Sequence, residues 1–306
     1  MQWLAREWRH VKKNRELLLL SLPGFVYKFI FYYLPLLGLV IAFQNYNYTK
    51  GLFGSKWVGL HNFKFFFESD LAWRVTRNTI LYNVAFIVLT TIFALVLALM
   101  MNELSKRWFK MHQTVMFLPY FLSWVVVGYI AIGFFDYQHG ALNTALASFG
   151  IDPTNWYQKS SYWPTIMIVV QLWKAVGFQA LIYYAGIIAI DPSYYEAARI
   201  DGATKWQMIR KITLPLLTPL VVILLIMAVG SIFRADFGLF YYVPNDSSFL
   251  YPVTDVIDTY VVRSLRTIGD VSMSTAVGLY QSVVGLLLVL VTNFIIRKIN
   301  EENALW

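Results

Sequence analysis

The chain reads as an all-α polytopic membrane protein with six transmembrane helices, and three observations carry that reading. Of its 306 residues, 58% are hydrophobic and only 14% charged, against about 25% charged in an ordinary soluble domain. Apolar runs long enough for a bilayer core, which takes roughly 18 residues or more, occur at about 17–43, 78–101, 113–135, 164–190, 215–235 and 273–296. Basic residues favour alternate connections. With the N-terminus inside, the inner segments hold Arg6, Arg9, Lys12, Lys13, Arg15, Lys106, Arg107, Lys110, Arg199, Lys205, Arg210, Lys211, Arg297 and Lys298, a majority of the 25. The outer segments hold Lys50, Lys56, Lys64, Arg74, Arg77, Lys159, Arg234, Arg263 and Arg266. The bias places both termini in the cytoplasm.

Segment 1–16 interleaves cations with Trp3, Leu4, Trp8 and Val11. That pattern fits either an amphipathic helix along the inner membrane surface or a loose positive anchor for the first span. In the first run Pro23-Gly24 and Pro35 forecast kinks whose freed backbone groups neighbours must satisfy. Lys28 can snorkel to the interface. The run exceeds a signal peptide's apolar region and no small-residue cleavage site follows, so its retention is expected. The aromatic, turn-rich stretch that follows suits an external interfacial loop. Asn102-Glu103 and a basic turn end the second run, and the gap to the third is too short for a domain. In the external segment 136–162, Gly140, Gly150, Asp152 and Pro153 mark turns around a short helix at 141–148. The fourth run carries Gln171, Trp173, Lys174, Phe178, Gln179, Tyr183 and Tyr184. Polar groups at membrane depth are functional candidates by default. Near the outer end of the fifth run, Arg234 and Asp236 lie two apart. Segment 254–266 then places Ile257, Tyr260, Val261 and Leu265 at helical spacing, over too few residues to cross, so an interfacial or re-entrant helix is expected. The sixth run holds Gly278, Tyr280, Gln281, Ser282 and Gly285, the small and polar residues of helix contacts or a cavity wall.

Between the fourth and fifth runs, residues 191–219 form a polar, mixed-charge island. Asp191-Pro192 is a cap followed by a first-turn proline, and Ser193 with Glu196 reads as a capping box. Tyr194, Ala197, Ala198 and Asp201 fall at helical spacing until Gly202 supplies a corner. A second short helix carries Trp206, Ile209 and Ile212 on one side. Pro215 and Pro219 mark its junction with the next run, because proline is best tolerated at a helix's first turn.

Glu196-Ala197-Ala198, Asp201-Gly202-Ala203 and Ile212-Thr213-Leu214-Pro215, in that order and spacing, resemble the EAA loop of the membrane subunits of binding-protein-dependent ABC importers. Residues 57–63, Trp-Val-Gly-Leu-His-Asn-Phe, resemble a stretch that sugar permeases carry after their first span. From Asn78-Thr79 onward the chain is similar to the shared core of type I importers. Asp258-Thr259-Tyr260 and the run from Ala276 through Ser282, ending at Thr292-Asn293, resemble the oligosaccharide and polysaccharide branch. The resemblance implies three parts: 1–73, a tail with the first span and an external loop; 74–296, the permease domain with its coupling loop at about 191–215; and 297–306, a cytoplasmic tail. It implies a bacterial inner membrane, a second homologous permease subunit, a dimer of ABC ATPases and an extracytoplasmic solute-binding protein. The loop would be the cytoplasmic coupling helix that seats in the ATPase, with Glu196, Ala197, Ala198, Asp201, Gly202, Ala203, Trp206 and Pro215 forming the contact. Substrate contacts would come from the helices flanking it. There and in the sixth run the candidates are Trp173, Phe178, Gln179, Ser231, Asp236, Tyr280 and Gln281, since aromatic faces take a sugar's C–H surface and amides and hydroxyls take its hydroxyl groups. Apolar residues stand at several such positions, Ala228 and Ile232 among them, which points to another subunit for part of the specificity.

No enzyme is expected. The chain has no Walker-type phosphate loop, so ATP and Mg belong to the partner ATPase. Its four histidines show no metal-ligand spacing and it has no cysteine, so no metal is expected. The net charge of +8 is read as topology and lipid contact; no soluble basic face exists for nucleic acid. Three other readings stay open: an ABC permease for amino acids or peptides, an ion-coupled secondary transporter, and a membrane enzyme acting on lipid-linked glycans. Against the secondary transporter, Asp136 and Asp236 lie near span ends and no acid sits mid-span.

Overall fold

A computed structural model describes residues 14–267, 269–299 and 304. The tail expected at 1–16 falls almost wholly outside them. Among the described residues five helices are long and apolar enough to cross a bilayer, and a bent pair, counted as one span, brings the number to six. The chain divides into two compact units, one ending at Phe66 and including Asp270–Leu279, the other formed by Phe67–Gly269 and the chain from Tyr280 onward.

In the first unit, span 1 (Arg15–Phe43) starts as an α-helix, widens into a π turn at Phe29–Tyr33 and tightens to 3-10 geometry over Leu34–Phe43. The widened turn ends two residues before Pro35, whose ring would strike a carbonyl of a regular preceding turn. Beyond it, Gln44 pairs with Trp57 and Asn45 with Lys56 in a two-stranded antiparallel ribbon. The Asn62 amide closes this segment on the Ala42 and Gln44 carbonyls, both at 2.9 Å. Phe43 stacks on Trp57 at 5.6 Å, and the Tyr46 N–H donates to Ser272 Oγ at 2.9 Å.

The second unit is built on span 2 (Asp70–Asn102) and span 4 (Trp163–Ile188). Ser69 caps span 2 by accepting the Ala72 N–H. Ala94, Ala98 and Met101 of span 2 recur at helical spacing and pack with Val176, Ala180, Tyr183 and Ile187 of span 4 and Leu217. The small residues let the backbones approach. A second core gathers Tyr82, Phe86, Trp163, Met167, Leu239, Phe240 and Leu250 beneath the non-spanning segments. There Asn143 is the clasp: its amide donates to the Tyr137 and Thr154 carbonyls at 3.0 and 2.9 Å and accepts the Thr154 N–H and the Trp156 indole at 3.0 Å each. The short helix Ala141–Ser148 lies where the sequence predicts it.

Three expectations need correction. The run at 113–135 is not one straight helix: Lys106–Phe121 and Trp124–Phe135 meet at a 98° bend. Pro215 stands in the first turn of Leu214–Gly230 as expected, but no break accompanies it: Lys205–Gly230 is one continuous span, span 5, with Pro219 inside it. A π turn at Ile209–Thr213 again ends two residues before a proline, with the Leu214 N–H reaching back to the Ile209 carbonyl. The widened turn takes the ring that would otherwise break the helix. Finally, span 5 stops at Gly230 rather than 235. The turn after it hangs on Asn83, whose amide donates to the Ile232 carbonyl at 2.9 Å and lies 3.2 Å from that of Arg234.

Candidate functional site: a helical hairpin and two membrane pockets

The hairpin begins at Asp191, which caps Pro192–Ile200 by accepting the Ser193 N–H at 2.9 Å. That bond holds its carboxyl below the usual carboxylate range. The capping box is one helix later than expected: Thr204 and Gln207 satisfy each other's backbone at Lys205–Met208. With proline at the first helical position, Asp191 takes the cap and Ser193 is already inside the helix. At the corner the Ala203 N–H bonds to the Ala198 carbonyl and the Gly202 N–H to that of Arg199, the paired closure of a helix that ends on a left-handed residue. Gly202 supplies it with φ +77°.

Two ties fix the hairpin to the spans. Tyr195 Oη and Thr213 Oγ1 are 2.9 Å apart, and Lys205 pairs with Glu103 at the end of span 2. A cleft of about 740 Å³ opens between them, lined by Glu103, Tyr195, Glu196, Arg199 and Lys205. Ile200 is 87% exposed and Trp206 67%, and Glu196, Ala197, Asp201 and Gly202 are exposed beside them. Ala198 and Ala203 are half-buried, and Pro215 is exposed further along span 5. Large apolar side chains on a charged hairpin are the anatomy of a docking face. The Lys205–Glu103 pair contributes little by itself, since its side chains are 76% and 46% exposed and such pairs are worth about 0–1 kcal/mol. Lys205→Ala is therefore expected to leave thermal unfolding of the purified chain unshifted within about 1 kcal/mol. A large loss of melting temperature would show that the pair holds the hairpin up.

In the membrane, the fourth run's polar load does structural work at the bend. Lys174 Nζ donates to the Tyr120 and Leu122 carbonyls at 2.8 and 2.6 Å and lies 3.3 Å from that of Pro119. The ammonium sits 5.1 Å from the Trp124 ring, and the Trp124 indole donates to Asp236 Oδ2 at 2.6 Å. Asp236 Oδ1 in turn caps Phe237–Tyr242 through the Gly238 N–H. Phe178 stacks on Tyr120 at 4.3 Å and on Phe117 at 5.8 Å. Trp173 faces a groove with Val169, Leu172 and Val176, and the Gln179 amide donates to Tyr183 Oη at 3.0 Å.

The remaining candidates cluster elsewhere. Ser231 and Gln281 line a pocket of about 320 Å³ with Arg234 and Ser282, and Arg234 donates to Ser282 Oγ at 2.8 Å. Gln281 is buried and donates to the Phe233 carbonyl at 2.6 Å. Tyr280 meets Phe67 and Phe233 edge to face at 5.0 and 6.0 Å. Asp236 is thus joined to the bend, while Ser231, Tyr280 and Gln281 surround the end of span 5.

The chain matches, over residues 91–301, the family described as the binding-protein-dependent transport system inner membrane component. The chain belongs to that family. This permease is 34% identical over 304 residues to Protein LplB of Bacillus subtilis (strain 168), covering 99% of this chain and 94% of the relative. It is 33% identical to the polygalacturonan/rhamnogalacturonan transport system permease protein YteP of the same organism, covering 95% and 90%. Its fold superposes with a TM-score of 0.86, at 32% identity over 96% of this chain and 99% of the other, on a chain of a bacterial ABC transporter involved in the import of the acidic polysaccharide alginate.

Seen in the permease, three residues outside the sequence candidates organise the membrane sites. Lys174 stood out as a charge at depth, but its carbonyl partners lie more than 50 positions away and no local signal names them. Trp124 sits in an uninterrupted apolar run and gives no sign of its bond to Asp236. Arg234 was marked as one of a pair, yet it turns to Ser282 rather than to Asp236. Carboxylates are also more buried than the sequence indicates: Asp255 just before the helix Ile257–Thr267 and Asp258 in its first turn, rather than on a span. Burial pushes Asp255 and Asp258 up from the usual range. Arg263 and Thr259 compensate Asp255, and the Ala235 N–H compensates Asp258 at 2.7 Å. The inward face of this helix runs through Ile257, Tyr260 and Ser264, leaving Leu265 exposed. Among the described residues no group of three His, Asp or Glu could hold a metal.

Proposed function

We propose that this permease forms the pathway by which an oligosaccharide or polysaccharide, delivered by an extracytoplasmic binding protein, crosses a bacterial inner membrane. The likeness to a polysaccharide importer over nearly the whole of both chains is the observation that carries the reading. In it, 74–296 is the permease domain, both termini are cytoplasmic, and a second homologous subunit completes the pathway. A dimer of ABC ATPases supplies ATP, Mg and the work.

The geometry supports a lever. The second hairpin helix is the beginning of span 5, so a push on Trp206 travels along one helix to Gly230 and the turn bearing Ser231, Arg234 and Asp236. Glu196, Ala197, Ala198, Asp201, Gly202, Ala203, Trp206 and Pro215 take the ATPase contact. Trp173, Phe178, Gln179, Ser231, Asp236, Tyr280 and Gln281 line or shape the path. ATP binding acts by favouring one of two arrangements of the spans through its differential affinity for them.

The tagged permease, purified from its own membranes, is expected to bring down an ATPase and a second permease. In proteoliposomes with the binding protein, saccharide uptake is expected to require ATP inside. Uptake by this chain alone, driven by an ion gradient, would overturn the reading.

A further inference from the structure

The pocket at the end of span 5 opposite the hairpin holds a cation with unused capacity. Arg234 carries a permanent charge and five donors, of which one meets Ser282 Oγ. None of the ion pairs among the described residues includes it. The carboxylate within electrostatic reach, Asp258, is already engaged by the Ala235 N–H at 2.7 Å and faces the Gln281 amide at 3.3 Å. The guanidinium is exposed on the pocket wall just past a membrane helix, a place where an ionisable group is read as functional by default. Its surroundings add to that: Ser231 and Ser282 are exposed hydroxyls on the same wall. The floor forms where Gly285 lies so close to the Gly230 carbonyl that a side chain there would collide with it. A volume of about 320 Å³ falls within the usual range of small-ligand sites, roughly 300–1,000 Å³.

We infer that Arg234, with Ser231 and Ser282, is a subsite for the carboxylate of an acidic sugar, so that this permease selects uronate-containing saccharides over neutral ones. The guanidinium takes the carboxylate through paired donors, and the Ser231 oxygen, whose proton goes to the Ala228 carbonyl at 3.0 Å, accepts from a sugar hydroxyl. The inference rests on the saccharide-import reading above.

Trigalacturonate and its carboxyl-reduced, neutral counterpart are the probes, titrated against the complete transporter in phosphatidylcholine nanodiscs. The wild type is expected to bind the acid form about tenfold tighter or more, the worth of one charge-assisted contact. Arg234→Gln is expected to erase that preference by weakening the acid probe about tenfold more than the neutral one, and Arg234→Lys to restore part of it. Equal affinity of the wild type for both probes, or equal losses on both in Arg234→Gln, would overturn the subsite. So would loss of the preference on replacing the lipid with phosphatidylglycerol, which would assign the pocket to an anionic headgroup. Parallel ATP-driven uptake of the neutral probe keeps the two readings apart. If no saccharide is taken up, the import reading fails; if uptake persists and Arg234→Gln shows no selective loss, only the subsite fails.

Discussion

Lys174→Met is expected to destabilise the permease by about 2–5 kcal/mol, read as a lower unfolding midpoint in detergent and a reduced yield of folded protein. At the bend after Phe121 the helix Lys106–Phe121 ends on free carbonyls in a segment expected to lie at membrane depth, where water is scarce and unpaired backbone groups are expensive. A single ammonium answers those of Tyr120 and Leu122 at 2.8 and 2.6 Å and approaches that of Pro119, which also accepts the Leu122 N–H. Its charge also suits the negative end of the helix macrodipole. Methionine keeps the length and removes every donor. Lys174→Arg keeps charge and donors and should recover most of the loss. Asp236→Asn removes the charge on the far side of Trp124 but keeps an oxygen for the indole, so its cost should be about 1 kcal/mol. An unshifted midpoint in Lys174→Met would mean that the bend is held without this lysine.

What the sequence made legible follows the range of the interactions involved. The hairpin could be read because its parts act locally: Asp191 caps the next turn, Gly202 turns the chain at its own φ, and Thr204 meets Gln207 three positions on. The spans could be read because hydropathy is a property of each residue. The bend could not. Leu122-Ser123-Trp124 lies in an apolar run, and the group that makes a break there tolerable comes from span 4. The continuity of span 5 through Pro215 was hidden for a related reason, since composition does not announce a π turn. Gln281 was legible as a polar residue on the sixth span, but its bonds to the Phe233 carbonyl and toward Asp258 join segments far apart in the chain. Candidate residues were therefore found by type and place, while the contacts that set their orientation needed the fold.

Replacing Gly202 separates the backbone role of the corner from a contact role. With φ +77°, Val there meets the steric penalty of the left-handed region, about 1–2 kcal/mol, whereas Asn tolerates that region. The corner is exposed and a Cβ on it would meet nothing within 4 Å among the described residues. Neither change therefore disturbs span packing, and both variants should insert and melt like the wild type. Gly202→Val is expected to lower ATP-dependent uptake by up to about five- to thirtyfold, the shift that this strain makes in the equilibrium between the native corner and its alternatives. Gly202→Asn then decides why. Uptake near wild type would show that the corner needs only its backbone conformation. A fall as deep as that of Val would show that another surface closes against the glycine, because none of the described residues lies within 4 Å of the side chain's first carbon. Unchanged uptake in both variants, with normal insertion, would remove the hairpin from energy coupling, since a connection that transmits work cannot lose its corner without loss of transport.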